Sequence, residues 1–399
     1  MRILHTADWH IGQTLSGFPR DSEHLAFLDH LGSLIVAHEV DALLVAGDVF
    51  DTINPSGEAQ RMLYSALAHY IRLRPGLTVV MIAGNHDPAA RLEAPEAVLR
   101  ELGVHVVGTI HADLSRHLIP LADKTGVKAH VLAIPFLRPA DLPGLTLTSP
   151  GGGEGAVVNA LRALHASMTA EALAVAGNLA LLAMGHLTCI GGEESKGAER
   201  PIRIGGEDAA PPDIYPKALA YVALGHLHKP QSLDGGRLRY SGSPFPLSAS
   251  EIPYEHGVTL IDLGETLSHQ HIPLPRPVPH LRLPAKGAMP LSDLPALLAS
   301  LSLNPETPHG LRPFVNVTLS ADRPASQLKA EAEAVLDQYP VRVASLVIDR
   351  AITPLPDTPP PSLNETTPEA LFAQAFQHSH GFAPLAAHIA AFRDALAEV

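Results

Sequence analysis

The chain has 399 residues and a net charge of −13, from 28 basic and 41 acidic side chains. Its length predicts two or three domains, and its 46% hydrophobic content supplies material for their cores. The acidic balance argues against a protein that grips duplex DNA alone, although metals or a partner can supply positive charge. One cysteine excludes an internal disulfide, and without a signal region or membrane-length apolar run we expect a cytoplasmic protein with no membrane contact.

The first predicted strand, residues 2–7, is followed directly by Asp8 and His10. Two metal-capable side chains two residues apart in extended chain point the same way, so both can reach one ion. Taken alone, the pair is equally explained as a capping aspartate beside a surface histidine. Trp9 between them is predicted to pack in the core rather than to stack on a base.

A helix is predicted over residues 22–39, where His24 is expected to be exposed. Four apolar residues at helical spacing should face the sheet. They are Leu25, Leu28, Leu31 and Ile35. The strand 42–46 that follows ends at Asp48, whose two carboxylate oxygens can bridge two cations. Asp51 is interpreted as a turn or supporting residue.

A second helix, residues 56–72, leads to a third strand, 77–83, which ends at Asn85, His86 and Asp87. Alternating strands and helices predict βαβ units with right-handed crossovers. The three polar clusters should therefore meet where the carboxyl ends of the strands form one edge of a sheet, the usual place for a ligand.

Further along the chain, two more apolar strands end in glycine and histidine. The segment 179–184 precedes His186, and the segment 220–224 precedes His226 and His228. Other elements are predicted as short strands at 104–107 and 130–134, a surface connection at 139–155, a helix at 156–174, a loop over the site at 191–216, and a hairpin of 257–263 with 269–272.

Proline density rises over 273–284 and marks a domain boundary. Residues 277–350 then read as a small α+β unit without a ligand cluster. A proline-rich segment, 353–361, reads as a stiff linker. The tail from Thr367 predicts two amphipathic helices, which cannot bury their apolar faces alone. They must fold back on the body or dock on a partner, and a partner is favoured.

Seven side chains form the candidate ligand set, more than one ion needs. They are Asp8, His10, Asp48, Asn85, His186, His226 and His228. Carboxylate, amide and imidazole without thiolate suit Mn, Fe or Zn better than Ca. Two ions bridged by Asp48 would clamp a phosphoester. His86 is then available to protonate the leaving oxygen or to stabilise the transition state, with Asp87 orienting it.

These clusters resemble the five signatures of the calcineurin-like metallophosphoesterases. They read Asp8-Trp9-His10, Gly47-Asp48-Val49-Phe50-Asp51, Gly84-Asn85-His86-Asp87, Gly185-His186 and Gly225-His226-Leu227-His228. The opening Ile3-Leu4-His5-Thr6 and the later Ser241-Gly242-Ser243-Pro244 are similar to the bacterial double-strand-break repair nucleases of that superfamily. The resemblance implies an α/β fold with a packed β-sheet core flanked by helices, a small α+β cap domain and a C-terminal helical tail.

The resemblance also implies a domain order and a ligand assignment. The order is a nuclease domain at 1–275, a DNA-capping domain at 276–352, a linker at 353–366 and a docking segment at 367–399. One metal would be held by Asp8, His10, Asp48 and His228, and the other by Asp48, Asn85, His186 and His226, with His86 catalytic. Mn is the expected metal, with Fe or Zn as alternatives.

The implied activity is exonuclease on duplex DNA ends and endonuclease on single strands or hairpins. The implied partner is an ABC-type ATPase with a coiled coil, in a heterotetramer built on a homodimer. Arg20, Arg91 and Lys229 lie near the motif loops and are candidates for DNA contact, while the substrate-binding residues stay unassigned.

Two other functions compete with the nuclease. One is a phosphodiesterase or phosphatase acting on a small-molecule phosphoester or a phosphoprotein. Phosphoprotein phosphatases of the superfamily carry Arg and Glu where this chain has Ala83 and Asp87, and a small-molecule enzyme has little use for residues 277–399. The other is a metal-free scaffold, which the full set of ligands and His86 opposes.

Overall fold

A computed structural model describes residues 1–142, 155–195, 209–349 and 367–397. Its strands are β1 (Arg2–Thr6), β2 (Thr14–Leu15), β3 (Phe18–Pro19), β4 (Ala42–Ala46), β5 (Thr78–Ile82), β6 (Val104–Val107), β7 (Leu118–Asp123), β8 (Gly126–Ala133), β9 (Ala180–His186), β10 (Tyr221–Gly225), β11 (Gln231–Leu233), β12 (Leu238–Tyr240), β13 (Gly257–Leu263), β14 (Leu267–Pro273), β15 (His280–Leu283), β16 (Phe314–Ser320) and β17 (Arg342–Asp349). Its helices are α1 (Asp21–Ala37), α2 (Gly57–Leu73), α3 (Ala89–Glu93), α4 (Glu96–Arg100), α5 (Ala156–Ala176), α6 (Leu294–Ser300), α7 (Ala325–Leu336), α8 (Pro368–His380) and α9 (Ala386–Ala397).

Two six-stranded sheets form the body of the protein. The first has the order β14-β13-β1-β4-β5-β6, and the second has the order β11-β12-β10-β9-β8-β7. In the first sheet β1, β4, β5 and β6 run parallel, and the antiparallel pair β13–β14 confirms the predicted hairpin. Strands β8, β9 and β10 run parallel in the second sheet, so both sheets present several carboxyl strand ends at one side.

The inner faces of the two sheets pack on each other through fully buried aliphatic side chains. Leu44 and Val80 of the first sheet belong to the same cluster as Val131 and Leu182 of the second. Helices α1 and α2 cover the outer face of the first sheet, and α5 covers the second. The central strands β4, β5 and β10 are apolar on both faces because both faces are buried.

Two expectations for the first helix were wrong. Leu25 is 56% exposed, so the buried face consists of Leu28, Leu31 and Ile35 only. His24 is instead fully buried, with its ring nitrogens 3.1 Å from the Arg20 carbonyl and 2.8 Å from the Trp9 carbonyl. Trp9 packs in the core against Phe27, as predicted.

The C-terminal part of the body is a three-stranded parallel sheet, β15-β16-β17, with α6 and α7 packed against it. This confirms the small α+β unit. Residues Met1–Asp349 form one compact unit, so the boundary at 275 and 276 stays a prediction. The predicted linker 353–366 lies outside the described residues, as do 143–154 of the surface connection and 196–208 of the loop over the site.

The tail contains the two predicted helices, and they pack on each other. Thr367 caps α8 by accepting a hydrogen bond from the Ala370 amide, and the rings of Phe372 and Phe392 stack at 4.4 Å. Leu385 stays 64% exposed. Among the described residues, no helix combines the length and the apolar character that crossing a membrane requires.

Candidate dinuclear metal centre

All seven predicted ligands lie together where the carboxyl ends of the two sheets meet. Potential ligand side chains form three groups. Within each group every residue offers one ligand atom, and these atoms all lie within 4.8 Å of one another. The groups are Asp8 with His10 and His228, His10 with Asp48 and His86, and Asp48 with His186 and His226. Asp48 and His10 each belong to two groups, so the site has room for two neighbouring ions.

One carboxylate oxygen of Asp48 lies between the histidines of two groups. Its Oδ2 lies 3.5 Å from His10 Nε2 and 3.4 Å from His186 Nε2, while its Oδ1 accepts a hydrogen bond from the His86 amide. Asp48 therefore presents Oδ2 to imidazoles of both groups, and its role as a ligand shared by two ions stays a prediction.

The amide of Asn85 faces the second group. Its Oδ1 lies 3.0 Å from His186 Nε2 and 3.2 Å from His226 Nδ1. The other ring nitrogen of His186 donates to the Ala46 carbonyl, which directs the Nε2 lone pair into the site. An ion placed among these atoms would receive one oxygen and two nitrogens, besides Asp48.

Two buried ligand atoms have no hydrogen-bond partner among the described residues. They are Asp8 Oδ2 and His10 Nε2. Leaving such atoms unsatisfied in the interior is costly, and a bound cation would satisfy both. The donor set of carboxylate, amide and imidazole suits first-row divalent metals. The residues therefore fit a pair of divalent ions.

The carboxylate of Asp48 and the imidazole of His186 shift each other's pKa. Burial alone would raise the pKa of Asp48, but the neighbouring His186 outweighs it and leaves the pKa below its ordinary value. Burial would lower the pKa of His186, and Asp48 instead raises it to about 9. In the metal-free protein His186 is therefore protonated at neutral pH, and metal binding would displace that proton.

The ligand loops turn sharply rather than continuing as extended chain. Asp8, His10, Asp48 and His226 all have positive φ, between 47° and 95°. Such conformations cost on the order of 1–3 kcal/mol per non-glycine residue and persist only when surrounding contacts enforce them. The Asp8 amide donates to Gly47 O, and the His226 amide donates to Asp8 Oδ1. Ligand atoms of Asp8 and His10 do lie in one group, but not through the extended geometry that the sequence predicted.

Glycines before the ligands allow the loops to approach. A Cβ on Gly225 would lie 1.9 Å from the Ala46 carbonyl oxygen, and one on Gly84 would lie 2.1 Å from Asp48 Oδ1. A Cβ on Gly47 would lie 2.3 Å from His186 Nδ1. The recurring glycine is thus required by close packing across the site.

His86 lies beside the ligands and is held by a main-chain group. Its Nδ1 is 2.8 Å from the Asp51 carbonyl oxygen, and the Asp51 side chain is 3.1 Å from His10 Nδ1. Asp87 was expected to orient the His86 ring. Its buried carboxylate instead accepts from the amides of Val49, Phe50 and Gly84. Asp87 therefore fixes the two ligand loops to each other, and Asp51 takes the orienting role.

Glu251 is a supporting residue that sequence reasoning missed. It is fully buried, and its Oε1 lies 2.9 Å from His228 Nδ1. Burial would raise its pKa, but the adjacent His228 outweighs burial and lowers it. The carboxylate thus directs Nε2 of His228 to the ion site. Nothing in the spacing around Glu251 distinguishes it from a surface glutamate.

The three basic candidates for DNA contact occupy different settings. Arg20 is 1% exposed, so the suggestion that it touches DNA was wrong. Arg91 is exposed and donates to Asn54 Oδ1. Lys229 pairs with Glu193. Only the latter two lie where a nucleic acid could reach them.

Comparison with known proteins gives consistent matches. The sequence model of the calcineurin-like phosphoesterase family matches residues 1–230, and one described as the type 5 capsule protein repressor C-terminal domain matches residues 275–380. A curated relative from Rhodobacter capsulatus, named as the SbcD subunit of the nuclease SbcCD, is 62% identical over 94% of each chain. Proteins of the same name from Escherichia coli K12 and Bacillus subtilis 168 are 33% and 35% identical, over 86% and 68% of this chain and 84% and 69% of theirs.

Gly225→Ala is expected to weaken metal binding and lower stability, because its Cβ would collide with Ala46 O of the facing sheet. Overpacking of this kind costs about 1–3 kcal/mol. Thermal unfolding and Mn²⁺ titration measure the two effects. Gly57→Ala is the matched control, because a Cβ there meets nothing within 4 Å. Equal stability and affinity in both variants would contradict the close-approach argument.

Glu251→Gln is expected to reduce metal affinity by about 10- to 100-fold, since His228 loses its carboxylate acceptor while the side-chain volume is kept. Isothermal titration with Mn²⁺ gives the change. Glu255→Gln, an exposed position in the same segment, should bind like the wild type. An unchanged affinity for Glu251→Gln would remove its supporting role.

Proposed function

Because the chain belongs to the calcineurin-like phosphoesterase family, and within it to the SbcD subunits of the SbcCD nucleases, we propose that it is a metal-dependent DNA nuclease subunit. It hydrolyses phosphodiester bonds at the cleft between the two sheets. The observation that carries this assignment is the convergence of seven ligands around Asp48, with His86 beside them. Its substrates are duplex ends, cut as an exonuclease, and single strands or hairpins, cut as an endonuclease.

The ligands divide between two ion positions. Asp8, His10 and His228 would hold one ion, Asn85, His186 and His226 would hold the other, and Asp48 would contribute to both. Divalent ions bound there would activate a water nucleophile and neutralise charge on the phosphate. Mn is the metal we propose, because the mixed oxygen and nitrogen donors suit it, with Fe or Zn as alternatives.

His86 is proposed as the general acid. The Asp51 carbonyl can only accept, so Nδ1 of His86 carries a proton, and Nε2 is the nitrogen proposed to act on the substrate. In its protonated form the ring can donate from Nε2 to the leaving 3′ or 5′ oxygen as the P–O bond breaks. Asp87 and Asp51 hold the loops that bear His86 and His10, which fixes the position of the His86 ring relative to the ligands.

The tail is proposed to bind the second component of the complex. The relatives are named as the SbcD component of SbcCD, and we propose an SbcC-like ABC-type ATPase with a coiled coil as the partner. The support lies in the two packed helices, α8 and α9, which leave Phe382, Leu385 and Leu396 at least half exposed. A heterotetramer containing a homodimer of this chain is part of the same proposal.

His86→Ala is expected to lower Mn-dependent degradation of linear duplex DNA by about 100-fold or more, the range for loss of a general acid. Mn²⁺ affinity should change little, because the seven ligands stay in place. The measurement is release of nucleotides from end-labelled duplex, with His30→Ala on α1 as the control. If the protein hydrolysed small phosphodiesters but no DNA substrate, the nuclease assignment would be refuted.

Deletion of residues 367–399 is expected to abolish co-purification with the coiled-coil ATPase while leaving Mn²⁺ binding intact. The reason is that the metal ligands all lie in the unit Met1–Asp349. Leu385→Glu should weaken the complex at an exposed apolar position, and Gln377→Ala is the matched surface control. Undiminished co-purification of the truncated chain would remove the docking proposal.

A further inference from the structure

Three charged side chains are buried together where the three-stranded sheet meets the body. Arg20 and Glu23 belong to the start of α1, and Arg342 opens β17 on the other side of the contact. Each is only 1% exposed. Two guanidinium groups face one carboxylate, so one positive charge is left over in the interior. Buried charges of this kind need close partners, and the partners show which segments of the chain the cluster connects.

Arg20 uses its guanidinium to tie several segments of the body together. Its Nε and one terminal nitrogen donate to the two carboxylate oxygens of Glu23 at 2.9 and 2.6 Å. The other terminal nitrogen donates to Gln13 Oε1 at 2.8 Å and to the Pro246 carbonyl at 2.7 Å. This bidentate, fully engaged geometry is one that lysine could not reproduce.

Arg342 enters this cluster from the three-stranded sheet. Its Nε donates to the Arg312 carbonyl, and its guanidinium lies 3.7 Å from the centre of the Phe314 ring. One terminal nitrogen lies 3.8 Å from Glu23 Oε2 and is buried without a hydrogen-bond partner among the described residues. The other terminal nitrogen lies 3.5 Å from the carbonyl of Pro19, the residue before Arg20. Arg342 is therefore held by two main-chain carbonyls, by the Phe314 ring and by the charge of Glu23, and two of these contacts reach the segment that carries Arg20 and Glu23.

From Arg20 a short chain of hydrogen bonds leads to a metal ligand. Arg20 holds Pro246, and the amide of the next residue, Leu247, donates to Glu251 Oε2 at 2.9 Å. The other oxygen of Glu251 lies 2.9 Å from His228 Nδ1. A shift of Arg20 would therefore move the loop that aims His228.

A second route leads from the same residue to the first ligand loop. The Arg20 carbonyl lies 3.1 Å from His24 Nδ1, and His24 Nε2 lies 2.8 Å from the carbonyl of Trp9. Trp9 stands between Asp8 and His10 in the chain. The cluster is thus linked through Glu251 to His228 and through His24 to the loop that supplies Asp8 and His10, the ligands of one ion position.

Stability alone does not account for these charges. Buried Arg–Glu–Arg groups can often be replaced by apolar side chains of similar volume without loss of stability. We propose that Arg342 is a positioning residue: from the three-stranded sheet it holds Glu23 and Arg20, and through them the geometry of the ion position formed by Asp8, His10 and His228. This inference rests on the proposed function, because it concerns the same metal site.

The test uses the full-length chain with Arg342→Met, which removes the charge and keeps much of the volume. The substrate is bis(4-nitrophenyl) phosphate, which is too small to contact the three-stranded sheet and the metal site together. We expect kcat to fall about tenfold with KM nearly unchanged, the size of a coupling through shared contacts. Mn²⁺ affinity, followed by electron paramagnetic resonance, should weaken about tenfold for one of the two ions.

Two further variants make the outcome specific. Arg323→Met removes an exposed arginine of the loop between β16 and α7, paired with Asp322 and Glu331, and should leave kcat and Mn²⁺ affinity unchanged. Arg342→Lys keeps the charge and should restore part of both losses. If Arg342→Met does not fold, Glu23→Gln carries the same test, because it releases both arginines.

Other results would overturn the inference. In one such result, kcat on the small diester and Mn²⁺ affinity are unchanged and Arg342→Met only unfolds at a lower temperature. In another, both values are again unchanged and only DNA cleavage is lost. Arg342 would then only hold the two parts together or place DNA. A wild-type chain that binds two Mn²⁺ ions but cuts neither substrate would refute the proposed function instead. The Mn²⁺ affinities of the variants would still decide the role of Arg342.

Discussion

The whole site depends on how closely the two sheets approach at their carboxyl ends. There the ring of His186, from the second sheet, hydrogen-bonds to the carbonyl of Ala46, from the first, at 2.8 Å. A single methyl group on Gly225 would collide with that same carbonyl. Ligands from five strands can surround two ions only because the main chains are this close. The strained turns at Asp8, Asp48 and His226 are a consequence of the same crowding.

Neutral polar contacts fix the alignment of the sheets beneath the site. His5 of β1 lies 3.0 Å from the Tyr221 hydroxyl and 3.2 Å from the Leu224 carbonyl, both on β10. Burial lowers the pKa of His5 to about 3, so the ring is neutral at physiological pH. Since a carbonyl only accepts, the ring donates to Leu224 from Nε2 and accepts from Tyr221 at Nδ1. The alignment of the Asp8 and His226 loops therefore does not depend on a charge that physiological pH could change.

The sequence predicted features that have a local, repeated pattern, and it did not predict features that depend on packing between distant parts of the chain. The strands and the seven candidate ligands were identified because metal-capable residues follow each of five apolar runs, four times directly after a glycine. The division into two sheets was not found, because strands buried on both faces have the same apolar pattern in either sheet. Glu251, His24 and Arg20 were missed or misplaced for a related reason. Each is a polar residue buried by partners distant in the chain, and no periodicity marks it.

The local charge of the site explains how an acidic chain can act on DNA. The net charge of −13 is spread over the molecule, whereas a phosphate at the cleft experiences mainly the nearest charges, because salt screens the others within about 8–10 Å. Two divalent ions would bring four positive charges against the two carboxylates of Asp8 and Asp48. The remaining ligands, an amide and four imidazoles, add no negative charge. Divalent ions bound there would offset the acidity of the centre, where the carboxylates of Asp51, Asp87 and Glu251 also lie. They would supply the positive charge closest to the phosphate, so that phosphate attraction would arise at the catalytic centre rather than from a basic surface.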